Sequence, residues 1–193
     1  EVIETIQMIT VQKLNIRTVT LGVSLRDCIS TNVENTAKKI YQKIISYGNR
    51  FSEAVKKLEE EYGVPIVNKR IAVTPIAFLL DSIVKNKNNT INKALKLAYA
   101  LDNAAKDLNV DYIGGFSSFV QKGFSIGDKV LINSLPEVFS QTDRVCGFVN
   151  VAETDSGINM TAISKLGEVI KEIAYKTADK NGLGCAKFTV ICN

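Results

Sequence analysis

The sequence predicts an α/β protein whose strands lie mostly parallel in one sheet. Short apolar or alternating segments follow helix-like segments along most of the 193 residues. Such alternation calls for right-handed crossover connections and a largely parallel sheet. The adjacent Gly114 and Gly115 end one of these strand-like segments, and two serines come shortly after them. Because α/β proteins bind ligands beyond the carboxyl ends of parallel strands, the region after Gly115 is the first candidate site. A tight strand exit is the alternative explanation of the glycine pair.

Composition limits the classes of function. With 46% hydrophobic and 23% charged residues the chain resembles an ordinary globular protein, and its length is sufficient to bury a core. The net charge is only +4 and basic residues are mixed with acidic ones, so we expect no nucleic-acid partner. No apolar run is long enough to span a membrane and the first residues do not resemble a signal peptide. We therefore expect no membrane partner and a cytoplasmic location.

The sequence contains no histidine. This excludes Ser-His-Asp and Cys-His catalysis, and most zinc sites, from residues of this chain alone. The cysteines form neither a CxxC pair nor a metal-ligand spacing, so we expect no metal site. The four cysteines are Cys28, Cys146, Cys185 and Cys192. In a cytoplasmic protein we expect them to be reduced thiols, and most free cysteines are buried.

The first half of the chain contains two predicted strands with unusual faces. Residues 2–11 have helical apolar spacing, and residues 32–62 form a helical region with an expected interruption near Gly48 and a stop at Gly63. Strand 16–24 alternates, with one small polar face that suits a tightly filled interior or a lumen; this face has Thr18, Thr20, Gly22 and Ser24. Strand 64–73 places Asn68 and Arg70 on one face, so it either lines a polar cavity or is an exposed edge strand.

The second half continues the alternation. Thr74 and Pro75 open a helix, and residues 85–90 form a polar surface loop. The further expectations, in chain order, are a helix at 92–108, the Gly-Gly strand, a loop at 119–128, a strand at 129–133, a short helix capped by Ser134, a strand at 145–150, a loop at 151–159, a helix to 177 and a strand at 185–191.

Several motifs together resemble a known family. They are residues 17–25 (RTVTLGVSL) with Asp27 and Cys28, 65–70 (PIVNKR), 73–76 (VTPI), 113–117 (IGGFS), 120–123 (VQKG), 132–134 (INS) and 156–162 (SGINMTA). In this order they resemble the amino-terminal part of uncharacterised protein family 0210, also called domain of unknown function 711. Members of that family are more than twice as long. The resemblance therefore implies that residues 1–193 form a single domain, the amino-terminal half of a longer protein.

The resemblance also implies a fold like that of the pyruvate formate-lyase type glycyl-radical enzymes. These enzymes have a ten-stranded α/β barrel made of two parallel half-barrels, of which this chain would form one. Their glycyl-radical motif is not present here, and no cofactor is indicated. An open half-barrel exposes strand edges, and this chain stops directly after a predicted strand. We therefore expect it to pair with the missing carboxyl-terminal half or with another copy, as a homo-oligomer such as a homodimer.

Two functions remain open at this point, and the enzymatic one is uncertain. The first is an enzyme that acts on a small anionic metabolite, with Cys28 or Cys146 as the catalytic residue. The second is a non-catalytic protein that senses such a metabolite, and a purely structural subunit is a weaker third. The candidate substrate-binding residues are Asn68, Arg70, Gly114, Gly115, Ser117, Lys122, Asn150, Ser156 and Asn159.

Each of the central candidates has a structural alternative. Arg70 has the planar fork that suits an anion, but it could instead form a buried ion pair, for example with Asp111. Residues 156–159 lead into a helix whose amino terminus could hold a carboxylate or a phosphate. Each cysteine could be a buried structural thiol.

Overall fold

Strands and helices alternate in the structure, a computed structural model that describes residues 2–12, 16–30, 32–84 and 90–192. The helices are α1 (Val2–Ile6, continued by a π-helical turn at Gln7–Val11), α2 (Val33–Tyr62), α3 (Ile76–Ile83), α4 (Thr90–Asp107), α5 (Ile126–Gln141), α6 (Met160–Lys176) and α7 (Leu183–Ala186). The strands are β1 (Ile16–Val23), β2 (Ile66–Val73), β3 (Tyr112–Gly114), β4 (Ser118–Phe119), β5 (Val145–Glu153), β6 (Gly157–Ile158) and β7 (Phe188–Cys192).

The sheet is parallel except for one short strand, and its order follows the chain. β1 pairs with β2, and β2 pairs with β3. β5 pairs with β3 and β4 on one side and with β7 on the other. Among the described strands only β6 runs antiparallel, in a hairpin with β5. The α/β class and the parallel sheet predicted from the sequence are therefore confirmed.

One face of this sheet is covered by helices. Ile71, Ile113 and Val149 point into the core, which they share with residues of α2, α4 and α5 such as Ile44 and Leu97. Strand alternation places Thr20, Arg70 and Cys146 on the opposite face. Among the residues described, no helix covers this second face, which we call the helix-free face. Its side chains are therefore available to something other than the core.

β3 and β4 are two parts of one interrupted strand. Gly114 and Ser118 are four positions apart along the chain, whereas their partners Cys146 and Val149 on β5 are three positions apart, so the β3–β4 side bulges by one residue. Gly115 lies in the bulge with φ +133°, and a Cβ there would lie 2.3 Å from the Val73 side chain. Only glycine fits both the conformation and the contact.

The predicted interruption of α2 is wrong. The helix is continuous from Val33 to Tyr62, and Gly48 is in its interior because a Cβ there would lie 2.1 Å from Leu108. This glycine permits close packing against the end of α4 instead of breaking the helix. The predicted stop is confirmed, since Gly63 caps the helix with φ 63°.

The predicted strand at 129–133 is also wrong, because these residues lie inside α5. The helix begins with a capping box in which the Ser125 hydroxyl accepts from the Asp128 N–H at 3.0 Å and the Asp128 carboxylate accepts from the Ser125 N–H at 2.8 Å. The apolar run 130–132 is therefore one side of a buried helix, and Ser134 lies within it rather than capping a second helix.

The remaining differences are small. The predicted strand at 185–191 covers the end of α7 and most of β7, and the predicted loop at 151–159 contains the end of β5 and β6. Residues 85–89 of the predicted polar loop lie outside the described part of the chain. Within the described ranges, no helix has the length and hydropathy needed to cross a membrane.

Candidate functional site

Two adjoining cavities lie over the helix-free face, and we call them together the trough. The first has a volume of about 590 Å³ and the second about 390 Å³. They share a floor formed by Ala72, Gly114 and Cys146. The first cavity adds mainly polar side chains, among them Thr20, Arg70, Tyr112, Asp143 and Lys187. The second adds mainly apolar ones, among them Val73, Pro75, Phe148 and Ile191.

A larger depression of about 780 Å³ lies on the helical side of the molecule, between α2 and α4. Ile83 and Lys93 line it and flank residues 85–89, which the structure does not describe. Its walls are helix surface that includes the exposed Lys96–Glu34 ion pair. Charged pairs on such a surface are ordinary solvated structure, so we place the candidate site in the trough.

Arg70 is an exposed cation of the trough, and it has no acidic partner among the described residues. Its guanidinium Cζ lies 5.5 Å from the ring centroid of Tyr112, a cation–π contact between neighbouring strands. Arg70 forms no ion pair with Asp111, whose carboxylate accepts from the Lys69 N–H at 2.7 Å. The side chain is exposed, so its donors are free for an anion.

Lys187 is a second cation of the trough and was not singled out from the sequence. Its buried ammonium donates to the carbonyl oxygens of Phe139, at 2.8 Å, and Thr142, both at the end of α5. Burial lowers the pKa of Lys187 below its ordinary value. The sequence signal was a lysine inside the last apolar run, but its partners are backbone atoms that no sequence pattern marks.

Cys146 lies on the floor of the trough. Burial raises the pKa of its thiol, and the nearby charges of Lys187 and Arg70 only oppose that effect in part. The thiol is therefore protonated near neutral pH. The positive charges of Lys187 and Arg70 nevertheless favour the thiolate, and a third positive group close to Cys146 would add to their effect.

Cys28 lies apart from the trough, in a 3₁₀ turn after β1. It is 3% exposed, and burial, together with the Asp27 carboxylate, raises the pKa of its thiol. The positive charge of Lys43 would favour the thiolate, but Lys43 forms an ion pair with Asp27 at 2.5 Å. These surroundings fit a buried structural thiol, the alternative to a catalytic role for Cys28.

The polar groups of the Gly-Gly segment are mostly engaged in the fold. The carbonyl of Gly115 accepts from the Ile76 N–H at 2.9 Å, which satisfies the start of α3. The buried Ser117 hydroxyl accepts from the Phe148 N–H at 3.1 Å. Gly114, Gly115 and Ser117 line the trough, but they shape it more than they offer free hydrogen-bonding groups.

Asn68 shares the strand face of Arg70 but does not line either cavity of the trough. Its side-chain amide donates to the carbonyl oxygen of Arg17 at 3.1 Å. The residue therefore links β2 to β1 beside the site.

The other four sequence candidates form a separate group at the carboxyl edge of β5. Lys122 pairs with Glu153 at 3.1 Å, and Ser156 donates to the same carboxylate at 3.4 Å. Asn159 caps α6 by accepting from the Ala162 N–H, and its amide donates to the Val120 carbonyl at 2.7 Å, so this helix terminus is already satisfied. The structure does not bring this group together with Arg70.

Asn150 is the member of that group with an unsatisfied atom. It is 2% exposed, and its Oδ1 has no hydrogen-bond partner in the described part of the chain. A buried acceptor without a donor is costly, so a water molecule or a group outside the described residues is expected to donate to it.

These features define a class: an α/β protein with a parallel sheet in chain order, helices over one face, and a cation-bearing trough over the other. The chain belongs to the family described as Uncharacterised ACR (DUF711), which matches residues 7–193.

Curated relatives support that membership. All 193 residues align with UPF0210 proteins, at 48% identity for the one from Desulforamulus reducens, 50% for Halothermothrix orenii and 48% for Listeria monocytogenes serovar 1/2a. The alignments cover all of this chain but only 41%, 41% and 42% of these relatives, respectively. The chain thus spans about two fifths of the length of the curated relatives it matches.

Proposed function

We propose that the trough binds a small anionic metabolite and that Arg70 holds the anionic group. The observation that carries this proposal is the exposed guanidinium of Arg70, which lines a cavity and has no acidic partner among the described side chains. Guanidinium presents two parallel donors to a carboxylate or a phosphate. The stack on Tyr112 orients the group and so reduces the entropy lost when the anion binds.

Lys187 supports the same assignment through its charge. Its ammonium is held by two carbonyl oxygens and carries no carboxylate partner in the described chain, so its positive charge is not cancelled. Asp143 also lines the cavity, but its carboxylate pairs with Lys106 at 2.6 Å. The net field in the trough is therefore positive, and such a field attracts anions.

Binding without catalysis is the simpler form of the proposal. No base is hydrogen-bonded to the Cys146 thiol in the described structure, and burial of the thiol opposes its ionisation. A catalytic Cys146 requires a base or a further cation from another part of the full-length protein. The enzymatic form, with Cys146 ahead of Cys28 as the nucleophile, therefore remains the second candidate, favoured by the position of Cys146 on the trough floor.

We propose further that the chain is one half of a ten-stranded barrel like that of the pyruvate formate-lyase type glycyl-radical enzymes. A parallel sheet in chain order with helices over one face is the arrangement that can curl into a barrel, and the helix-free face would then face the lumen. The rest of the family-length protein is the expected partner, since this chain spans two fifths of its relatives, with a second copy as the alternative.

Replacing Arg70 with glutamine tests the binding function. In the full-length protein, the affinity for propionate should fall by about tenfold or more, because a charge-assisted hydrogen bond contributes about 1.5–3 kcal/mol. Isothermal titration calorimetry measures this affinity. Repeated at increasing salt concentration, it should also show weaker binding to the wild type, because salt screens the charge of Arg70.

The matched control is Arg17→Gln. Arg17 is exposed on neighbouring β1, and strand alternation places it on the face opposite to Thr18 and Thr20. The control should leave propionate affinity unchanged. Equal losses in the two variants, or no loss in either, would contradict the role of Arg70.

A further inference from the structure

We propose that the ligand of the trough carries a flat apolar body behind its anionic head, so that the substrate class is an aromatic or similarly planar carboxylate. This inference rests on the proposed function, and it names the part of the ligand that Arg70 does not hold. It follows from the division of the trough into a cationic end, a bare floor and an aromatic end.

The sheet carries almost no side-chain bulk at and beside the floor. Ala72 on β2 and Gly114 on β3 are direct neighbours in register, and Gly22 on β1 lies next to Ala72, just outside the two cavities. A Cβ added to Gly22 would meet nothing within 4 Å, and one added to Gly114 would meet only a backbone oxygen at 4.0 Å. Two interstrand spacings make this strip roughly 10 Å wide, which is enough for a planar ring to lie against the backbone.

The two ends of the floor have opposite character. Arg70 lies two residues before Ala72 along β2, at the polar end, whereas Phe148 lies two residues after Cys146 along β5, at the apolar end. Four strand residues correspond to roughly 13 Å. A carboxylate on Arg70 would therefore leave space for a body of ring size between the cation and Phe148.

The apolar end continues into a set of aromatic rings that is open to solvent. The ring of Phe148 meets Phe119 edge to face at 5.5 Å, and Phe119 stacks on Phe78 at 6.3 Å with an interplanar angle of 8°. Phe119 and Phe78 are 37% and 47% exposed. Phe148 lines the cavity, and the two further rings extend its apolar surface beyond the cavity, where a planar ligand would cover it favourably.

Charge and shape together select the occupant. A fully polar anion would leave the Phe148 end wet, and a neutral apolar molecule would leave the Arg70 charge without a partner. A molecule with one anionic group and one flat apolar body uses both ends at once. The proposal assigns the head to Arg70 and the body to the strip between Gly114 and Phe148.

Three probes separate the head from the body in the full-length protein. Propionate has the anionic head alone, 3-phenylpropionate has the head and a ring, and 3-phenylpropanamide has the ring without the charge. Isothermal titration should give 3-phenylpropionate at least tenfold tighter binding than propionate, because an aromatic ring buries a large apolar area. The amide should bind at least tenfold more weakly than 3-phenylpropionate.

Variants locate the two parts of the ligand. Ile191→Thr, which keeps a β-branched residue on β7, and Phe148→Leu should each reduce the advantage of 3-phenylpropionate over propionate severalfold. The propionate affinity serves in each variant as the measure of an intact site. Arg70→Gln should weaken both acids, and Arg17→Gln should weaken neither.

The outcomes distinguish this inference from the proposed function. If both acids bind equally and both depend on Arg70, the planar body is wrong and the anion site stands. If neither acid depends on Arg70, both proposals fall. If the Phe148 and Ile191 variants lower the melting temperature without changing the ratio of affinities, the apolar end is covered by protein and the inference is overturned.

Discussion

Gly147→Ala is expected to destabilise the protein by about 3 kcal/mol or more, at the upper end of the usual cost of overpacking. A Cβ at this position of β5 would lie 2.0 Å from the carbonyl oxygen and 2.9 Å from the carbonyl carbon of Phe116. These atoms belong to the backbone that joins β3 to β4, so no flexible side chain can move aside. The melting temperature of the full-length protein, followed by circular dichroism, measures the effect.

Gly167→Ala is the control for that change. Gly167 is an exposed position inside α6 where a Cβ would meet nothing within 4 Å. Alanine there should stabilise the protein by about 0.5–1 kcal/mol, because glycine loses more backbone entropy on folding. A Gly147→Ala protein as stable as the wild type would mean that β3, β4 and β5 do not pack as described.

Asp102→Ala is expected to cost about 3–5 kcal/mol, the typical loss when one partner of a buried charge network is removed. The Asp102 side chain is 3% exposed, and its Oδ1 accepts from the N–H groups of Asp143 at 3.0 Å and Arg144 at 2.7 Å. Its Oδ2 pairs with Lys106 at 2.8 Å. Alanine would leave two backbone donors without an acceptor at the start of β5.

Two variants define the origin of that loss. Asp102→Asn keeps an oxygen for the backbone donors and should lose less stability than Asp102→Ala in urea unfolding. Asp107→Ala removes another acid from the same helix. The Asp107 carboxylate lies on the surface, where it accepts from the Tyr41 hydroxyl at 2.5 Å, so its loss should change stability only slightly. Similar losses in Asp102→Ala and Asp107→Ala would contradict the role given to the buried carboxylate.

The sequence predicted the strand faces well because alternation is a local property. Thr20 and Arg70 lie on one face of neighbouring strands, as the period of two requires, and Cys146 lines the same cavity. The sequence failed where a short apolar run was ambiguous, since residues 130–132 fit a buried helix as well as a strand. The Ser125–Asp128 capping box would have resolved it.

Groups joined by tertiary contacts could not be predicted from the sequence. The place of Lys187 depends on carbonyl oxygens 45 and 48 residues away. The glycine of α2, Gly48, was read as a break because its contact with Leu108 is visible only when α2 and α4 are packed. The separation of Ser156 and Asn159 from Arg70 likewise follows from the hairpin after β5, which no strand pattern indicated.

The central claim, that the trough holds an anionic ligand, is tested most directly by alkylation of Cys146 in the full-length protein. Because the pKa of this thiol is raised, its reaction with iodoacetamide should continue to accelerate above pH 9. At pH 9, 3-phenylpropionate at ten times its dissociation constant should slow the reaction about tenfold by occupancy.

Mass spectrometry of each cysteine supplies the comparison, with the exposed Cys192 as the internal reference. The account predicts about tenfold protection of Cys146 and none of Cys192, and a fall to about twofold protection or less at the same ligand concentration in Arg70→Gln. An alkylation rate of Cys146 that saturating ligand leaves unchanged, or undiminished protection in Arg70→Gln, would contradict it.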